Sequence, residues 1–142
     1  SQPARIVIVS SIGHTDTENG IEFEKLNDPN AQDSLQRYAQ SKLANVLFTN
    51  ELNKRYLEGE QIYANSLHPD TFLSSSISSE DGAITTLYCA TSPEIEEKNY
   101  RGRYFDPYGI EGEKSSFAKD DDLAKSLWEY TENLINEKSS QK

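Results

Sequence analysis

The apolar positions of this chain fall into two rhythms. Arg5 to Ser10 (RIVIVS) is an unbroken β-branched run, the pattern of a parallel strand buried on both faces. From Leu35 onward, Tyr38, Ala39, Leu43, Val46 and Leu47 recur at three- and four-residue steps, which predicts a helix capped by Asp33 or Ser34, running to about Leu57 and ended by Gly59. Between them, Ser11 to Asn30 carries Gly13, Gly20, Asn27, Asp28 and Pro29 and reads as a long loop. Gln61 to Leu67 then reads as a second strand stopped at His68-Pro69. After a serine-rich stretch from Ser74 to Ser79, helical spacing returns from about Glu80 to Thr91 and is closed by Ser92-Pro93. Arg101 to Phe105 predicts a short strand, Asp106 to Ser116 a turn-rich loop, and Asp120 to Asn136 a last helix. Alternating strands and helices are the α/β signature, with a right-handed parallel crossover between the first two strands.

Composition narrows the picture. A net charge of -10 repels a phosphate backbone, so no nucleic-acid partner is expected, nor an anionic membrane surface. No apolar run approaches the ~20 residues that span a bilayer. Cys89 is the single cysteine, which rules out an intramolecular disulfide and makes a cytoplasmic setting the expectation. With no methionine anywhere, the chain reads as a processed product or as part of a longer polypeptide. A buried parallel strand needs neighbours on both sides, which likewise predicts that some of the sheet lies outside these residues.

Tyr38 and Lys42 lie four residues apart on the expected helix, so they share a face about 6 Å apart along the axis. A phenol alone is a poor proton shuttle at neutral pH, and an ammonium beside it favours the phenolate. Ser11, at the end of the first strand, could donate a hydrogen bond to a substrate oxygen. The spacing by itself favours a plainer pair, a core-edge tyrosine and a solvated lysine. His14 and His68 read as structural, two lone histidines make no metal site, and Cys89 reads as a small core residue.

Longer strings raise the odds for chemistry. RIVIVSSIGH, YAQSKLANVLFTNEL, ANSLHPDTFLSS and GAITTLYCATSPE leading to GRYF occur in that order, and together they resemble the short-chain dehydrogenase/reductase family, in its branch of retinol dehydrogenase and WW-domain oxidoreductase-like proteins. The resemblance covers nearly the whole chain and implies the C-terminal half of a doubly wound, parallel-sheet, Rossmann-like α/β domain. It implies Ser11 as the family's serine, Tyr38 as general acid/base and Lys42 as the lysine that also bonds the nicotinamide ribose. Ser10 is the less favoured serine. The turn from Pro69 to Ser74 would touch the nicotinamide through Pro69, Phe72 and Ser74. The implied cofactor is NADP or NAD, with NADP favoured, and the implied substrate is an alcohol or carbonyl of a small lipophilic molecule.

This chain also departs from the family. It has no glycine-rich dinucleotide fingerprint and no catalytic asparagine ahead of Ser11, so the missing N-terminal half would be needed as part of the same protein or as a partner. Asp70 stands where the family has glycine, Ile8 where the branch commonly has asparagine, and the stretch between Ser74 and Gly82 is roughly twenty residues shorter than the usual substrate-covering segment. The competing expectation is a non-catalytic interaction module. Its homodimer would form through the Tyr38/Lys42 helix, with Asn45, Thr49, Asn53 and Tyr56 facing outward.

Overall fold

The structure is a computed structural model and describes residues 3–69 and 81–140. Four strands form one sheet in the order β1 (Ala4–Val9), β2 (Ile62–Leu67), β3 (Tyr104–Asp106) and β4 (Ile110–Glu111). The first three run parallel, with Ala4 opposite Ile62 and Ser66 opposite Tyr104, and β4 returns antiparallel to β3. The β1-to-β2 crossover is the long helix α1 (Ser34–Leu52). Asp33 caps it, accepting from the Gln36 backbone N–H at 2.8 Å. The helix does not continue as α-helix to Leu57, because Asn53–Leu57 form a π-helical turn. There Asn53 donates its side-chain amide back to the Thr49 carbonyl and across to the Ala64 carbonyl of β2.

Helices cover both faces of the sheet. On one face α1 packs with the C-terminal helix α4 (Asp121–Ser139), burying Leu43, Val46, Leu47 and Ala124 against Tyr104. Trp128 of α4 stacks on Phe48 of α1 at 5.4 Å with rings nearly parallel, and Tyr56 and the Arg55 guanidinium complete its surroundings. On the other face α2 (Ile84–Thr91) and the one-turn helix α3 (Glu94–Glu97) bury Cys89 and Ile95 against Leu67 and Phe105. Successive residues of a strand point to opposite faces, which is why Tyr104 and Phe105 serve different cores.

Several boundaries differ from the sequence expectation. The third strand starts at Tyr104, not Arg101, whose guanidinium is spent on the carbonyls of Leu57, Glu60 and Ile62. Helix α2 starts at Ile84 after a 3₁₀ turn, and α4 runs on to Ser139. The loop after Asp106 hides the two-residue strand β4. The expectation of full burial for β1 also needs correcting. Among the described residues its one strand neighbour is β2, no β1 residue is buried, and Val9 remains 42% exposed. In contrast β2, flanked on both sides, is buried from Ala64 to Leu67.

Candidate active site

The crossover sets the site. Because α1 runs back across the sheet, its first turns lie beside the C-terminal end of β1, where Ser10 and Ser11 leave the strand. Three bonds clamp this corner. The Ser10 backbone N–H donates to the Leu67 carbonyl at 2.7 Å, the Ser10 hydroxyl donates to the Lys42 carbonyl at 2.7 Å, and the Asn45 amide donates to the Val9 carbonyl at 3.0 Å. Ser10 is 1% exposed and its hydroxyl is used up inside the fold. The next hydroxyl, on Ser11, caps the 3₁₀ turn Ile12–Thr15 by accepting from the Gly13 N–H at 3.1 Å. Ser11 is itself only 7% exposed, and among the described residues its own proton has no acceptor.

Gly13 is the hinge between Ser11 and Tyr38. A β-carbon placed on it would lie 3.1 Å from Cε1 of Tyr38 and 3.4 Å from Oγ of Ser11, so the hydroxyl and the phenol ring flank one small residue at contact distance. Tyr38 is 47% exposed, which leaves the ring open to a ligand from solvent. The Lys42 ammonium sits 5.5 Å from the centroid of the Tyr38 ring, one turn along α1. Hydroxyl, phenol and ammonium are thus brought to one corner.

His14 holds this loop in place. Its ring is 0% exposed and packs against Tyr104 at 4.7 Å. Nδ1 lies 2.8 Å from the Ser11 carbonyl, to which it can only donate, and Nε2 accepts from the Ser115 backbone N–H at 3.2 Å. These two partners assign the tautomer. Burial lowers the His14 pKa from its ordinary value, outweighing the upward pull of the Ser11 carbonyl and of Asp106 and Asp16. The ring is therefore a neutral strut in the serine loop.

The other sequence candidates divide. Pro69 is described and half-buried at the end of β2, whereas Asp70, Phe72, Ser74 and the shortened stretch up to Gly82 lie wholly or mainly outside the described residues. Of the helix residues expected to face outward, Thr49 is fully buried and Asn53 is bonded to β2, because both lie over the sheet; Asn45 reaches Val9, and Tyr56 alone is 56% exposed. Cys89 is buried at 1% exposure, and burial pushes its thiol up to about 12. Among the described residues no group of three or more His, Cys, Asp or Glu side chains could hold a metal, and no helix is long and apolar enough to cross a membrane. Sequence reasoning passed over Gly13 and undervalued Ser10 and Asn45. Their signal was position, one at the tight turn beside a strand end and two directly beside or one turn beyond the chemical residues.

No protein-family model matches the chain. Among curated proteins it is 36% identical to the WW domain-containing oxidoreductase of Gallus gallus, over 96% of this chain and 38% of that protein. It is 35% identical to the chloroplastic short-chain dehydrogenase TIC 32 B of Brassica napus, over 93% of this chain and 47% of that protein. The chain therefore spans less than half the length of these relatives. The chicken alignment extends over 163 positions, more than the 142 residues here, so that relative carries extra residues within the matched span. A solved structure of an uncharacterized protein from Mycobacterium paratuberculosis superposes with a TM-score of 0.74 at 30% identity, over 94% of this chain and 51% of that one. With the Rossmann-like sheet, the order of the matched strings and these relatives in agreement, the chain is similar to the short-chain dehydrogenase/reductase family over nearly its whole length and fits the C-terminal half of that family's domain.

Proposed function

We propose that residues 1–142 form the C-terminal catalytic portion of an NAD(P)-dependent oxidoreductase that interconverts an alcohol and a carbonyl on a small lipophilic molecule. The observation that carries this reading is the corner where Ser11 and Tyr38 flank Gly13, with Lys42 one helical turn away. The Ser11 hydroxyl donates to the substrate oxygen and stabilises the negative charge that grows there during reduction. Tyr38 delivers its phenolic proton to the same oxygen, or removes it in the oxidative direction. Lys42 provides a fixed positive charge beside the phenolate form and further N–H donors for ribose hydroxyls.

The donor set of this corner fits the nicotinamide-ribose end of the cofactor, held by Lys42 and Tyr38 and, by family resemblance, by Pro69, Phe72 and Ser74. When bound, the nicotinamide ring supplies or accepts the hydride. No glycine-rich turn in this chain could cradle the pyrophosphate, so the other end of the cofactor belongs to the missing N-terminal half. NADP is favoured over NAD, and the cytoplasm is the proposed location. The test is NADPH-dependent reduction of carbonyl compounds by the full-length protein. Tyr38→Phe should lower turnover by ~10³ or more while the circular dichroism spectrum stays the same, since the lost proton donor is part of the reacting group. Undiminished turnover would refute the assignment.

A second reading, a non-catalytic interaction or dimerisation module, draws support from Asp70 in place of glycine. A homodimer through α1 would then rest on the exposed rings of Phe48 and Tyr56 rather than on Thr49 or Asn53. Under this reading, NADPH would leave the melting temperature of the full-length protein unchanged.

A further inference from the structure

At the end of α1 remote from Tyr38, about 21 Å along the axis at 1.5 Å per residue, the structure gathers positive charge on a chain whose net charge is -10. A hollow of about 340 Å³ lies between the end of α1 and the approach to β3, lined by Lys54, Arg101, Lys114 and Lys119 and by one acid, Asp121. It adjoins a second hollow of about 250 Å³ that shares Arg101, Lys114 and Lys119 and adds Arg103 with Glu111 and Glu113.

Two of these cations are fixed by neutral groups. The Lys114 ammonium donates to Oδ1 of Asn50 at 2.6 Å and to the Gly102 carbonyl. Arg101 donates to the carbonyls of Leu57, Glu60 and Ile62 and to Oδ1 of Asn99. Among the described residues neither forms a salt bridge with a carboxylate. Burial pulls the Lys114 ammonium down to about 8, and the Arg103 guanidinium pushes it the same way. Lys114 is half-buried with no carboxylate at ion-pair distance among the described residues, only the longer-range pull of Asp121 and Glu111, and an anion in the hollow would offset the cost of holding its charge there. The remaining cations do have partners: Lys54 reaches Asp121 at 2.5 Å, Arg103 reaches Glu111 at 3.0 Å, and Lys119 reaches Glu113. All three pairs are exposed, so each contributes little and its cation can turn to a better acceptor.

We propose that the hollow around Lys114 binds a small phosphate-bearing anion, either inorganic phosphate or a phosphomonoester. Cations converging from separate segments suit a tetrahedral group with several acceptor oxygens better than a planar monocarboxylate. The surrounding acidity and the small volume disfavour an extended polyanion. This inference is independent of the redox reading, since none of its residues belongs to the Ser11, Tyr38 and Lys42 corner.

Calorimetric titration of the full-length protein at low ionic strength tests it, with inorganic phosphate and phenyl phosphate as the probes. Saturable binding that weakens with added sodium chloride is expected, together with a rise in the Lys114 pKa followed by NMR of its side chain. Preference for phenyl phosphate would identify a phosphorylated small molecule as the ligand, and equal binding would identify free phosphate. Lys114→Met should raise Kd at least tenfold. Because that variant also removes two internal hydrogen bonds, the exposed Lys119→Gln is the second arm, with Kd expected to rise about threefold in a folded protein. No saturable binding of either probe at millimolar concentration, or an unchanged Kd in folded Lys119→Gln, overturns the proposal.

Discussion

Replacing His14 by phenylalanine isolates what its two ring nitrogens contribute. Phenylalanine keeps an aromatic ring against Tyr104 but removes the donation to the Ser11 carbonyl and the acceptance from the Ser115 N–H. The Ser11 carbonyl still receives the His14 backbone N–H at 3.0 Å, so it loses only its second bond. The Ser115 N–H is left without this acceptor. One lost bond at about 1 kcal/mol and one stranded donor at about 1–3 kcal/mol give a destabilisation of roughly 2–4 kcal/mol. Urea unfolding of the full-length protein at several pH values measures it. The folded pKa of His14 lies below its ordinary 6.5, so the unfolded chain takes up this proton first. The contribution of the neutral ring is therefore fully present above pH 6.5 and is lost as pH falls below it, with a slope of up to roughly 1.4 kcal/mol per pH unit. His14→Phe should lack this slope below pH 6.5. A destabilisation under about 0.5 kcal/mol, or the same slope in both proteins, would contradict the account of His14 as a neutral strut.

The neighbouring residues give further outcomes. Gly13→Ala should leave stability within about 1 kcal/mol, because the half-exposed Tyr38 ring can yield to the new methyl. Under the proposed function the same shift should lower kcat roughly tenfold, since a few tenths of an ångström matter at a reacting group; wild-type kcat in steady-state assays would count against that role for the contact. Asp120→Ala removes the α4 cap that accepts from the Leu123 N–H at 2.9 Å and should cost about 1 kcal/mol in urea unfolding; no change would mean that the α4 terminus is held by packing alone. The Cys89 thiol, buried and raised to about 12, should resist a thiol-specific disulfide reagent at pH 8 until the protein is unfolded. Rapid modification of the native state would show that α2 opens readily.

Much of the fold was legible because its elements repeat a period. The α1 stripe and the β2 run closed by His68-Pro69 were readable from residues that act locally, and so was the α1 cap to within the pair Asp33 and Ser34, of which the structure uses Asp33. What escaped depended on partners far along the chain. Arg101 looked like part of a strand, yet its guanidinium closes the turn before β2 and shortens β3. Thr49 and Asn53 looked like an outer face, but where a helix face points depends on the sheet beneath it. The strand β4 is two residues long, too short for alternation to register. At the site, Ser11, Tyr38 and Lys42 could be paired by spacing and resemblance, whereas the Gly13 contact and the Ser10 bond to Lys42 arise only when a strand end meets a helix 32 residues away.

The stack of Phe48 on Trp128 joins the helix that bears Tyr38 to the C-terminal helix, and Trp128 is the single tryptophan in the sequence. The chain consequently carries its own optical gauge. Indole emission reports the packing of α4 on α1 and on the π-helical turn that follows it, so an event that parts them shifts the spectrum without a label.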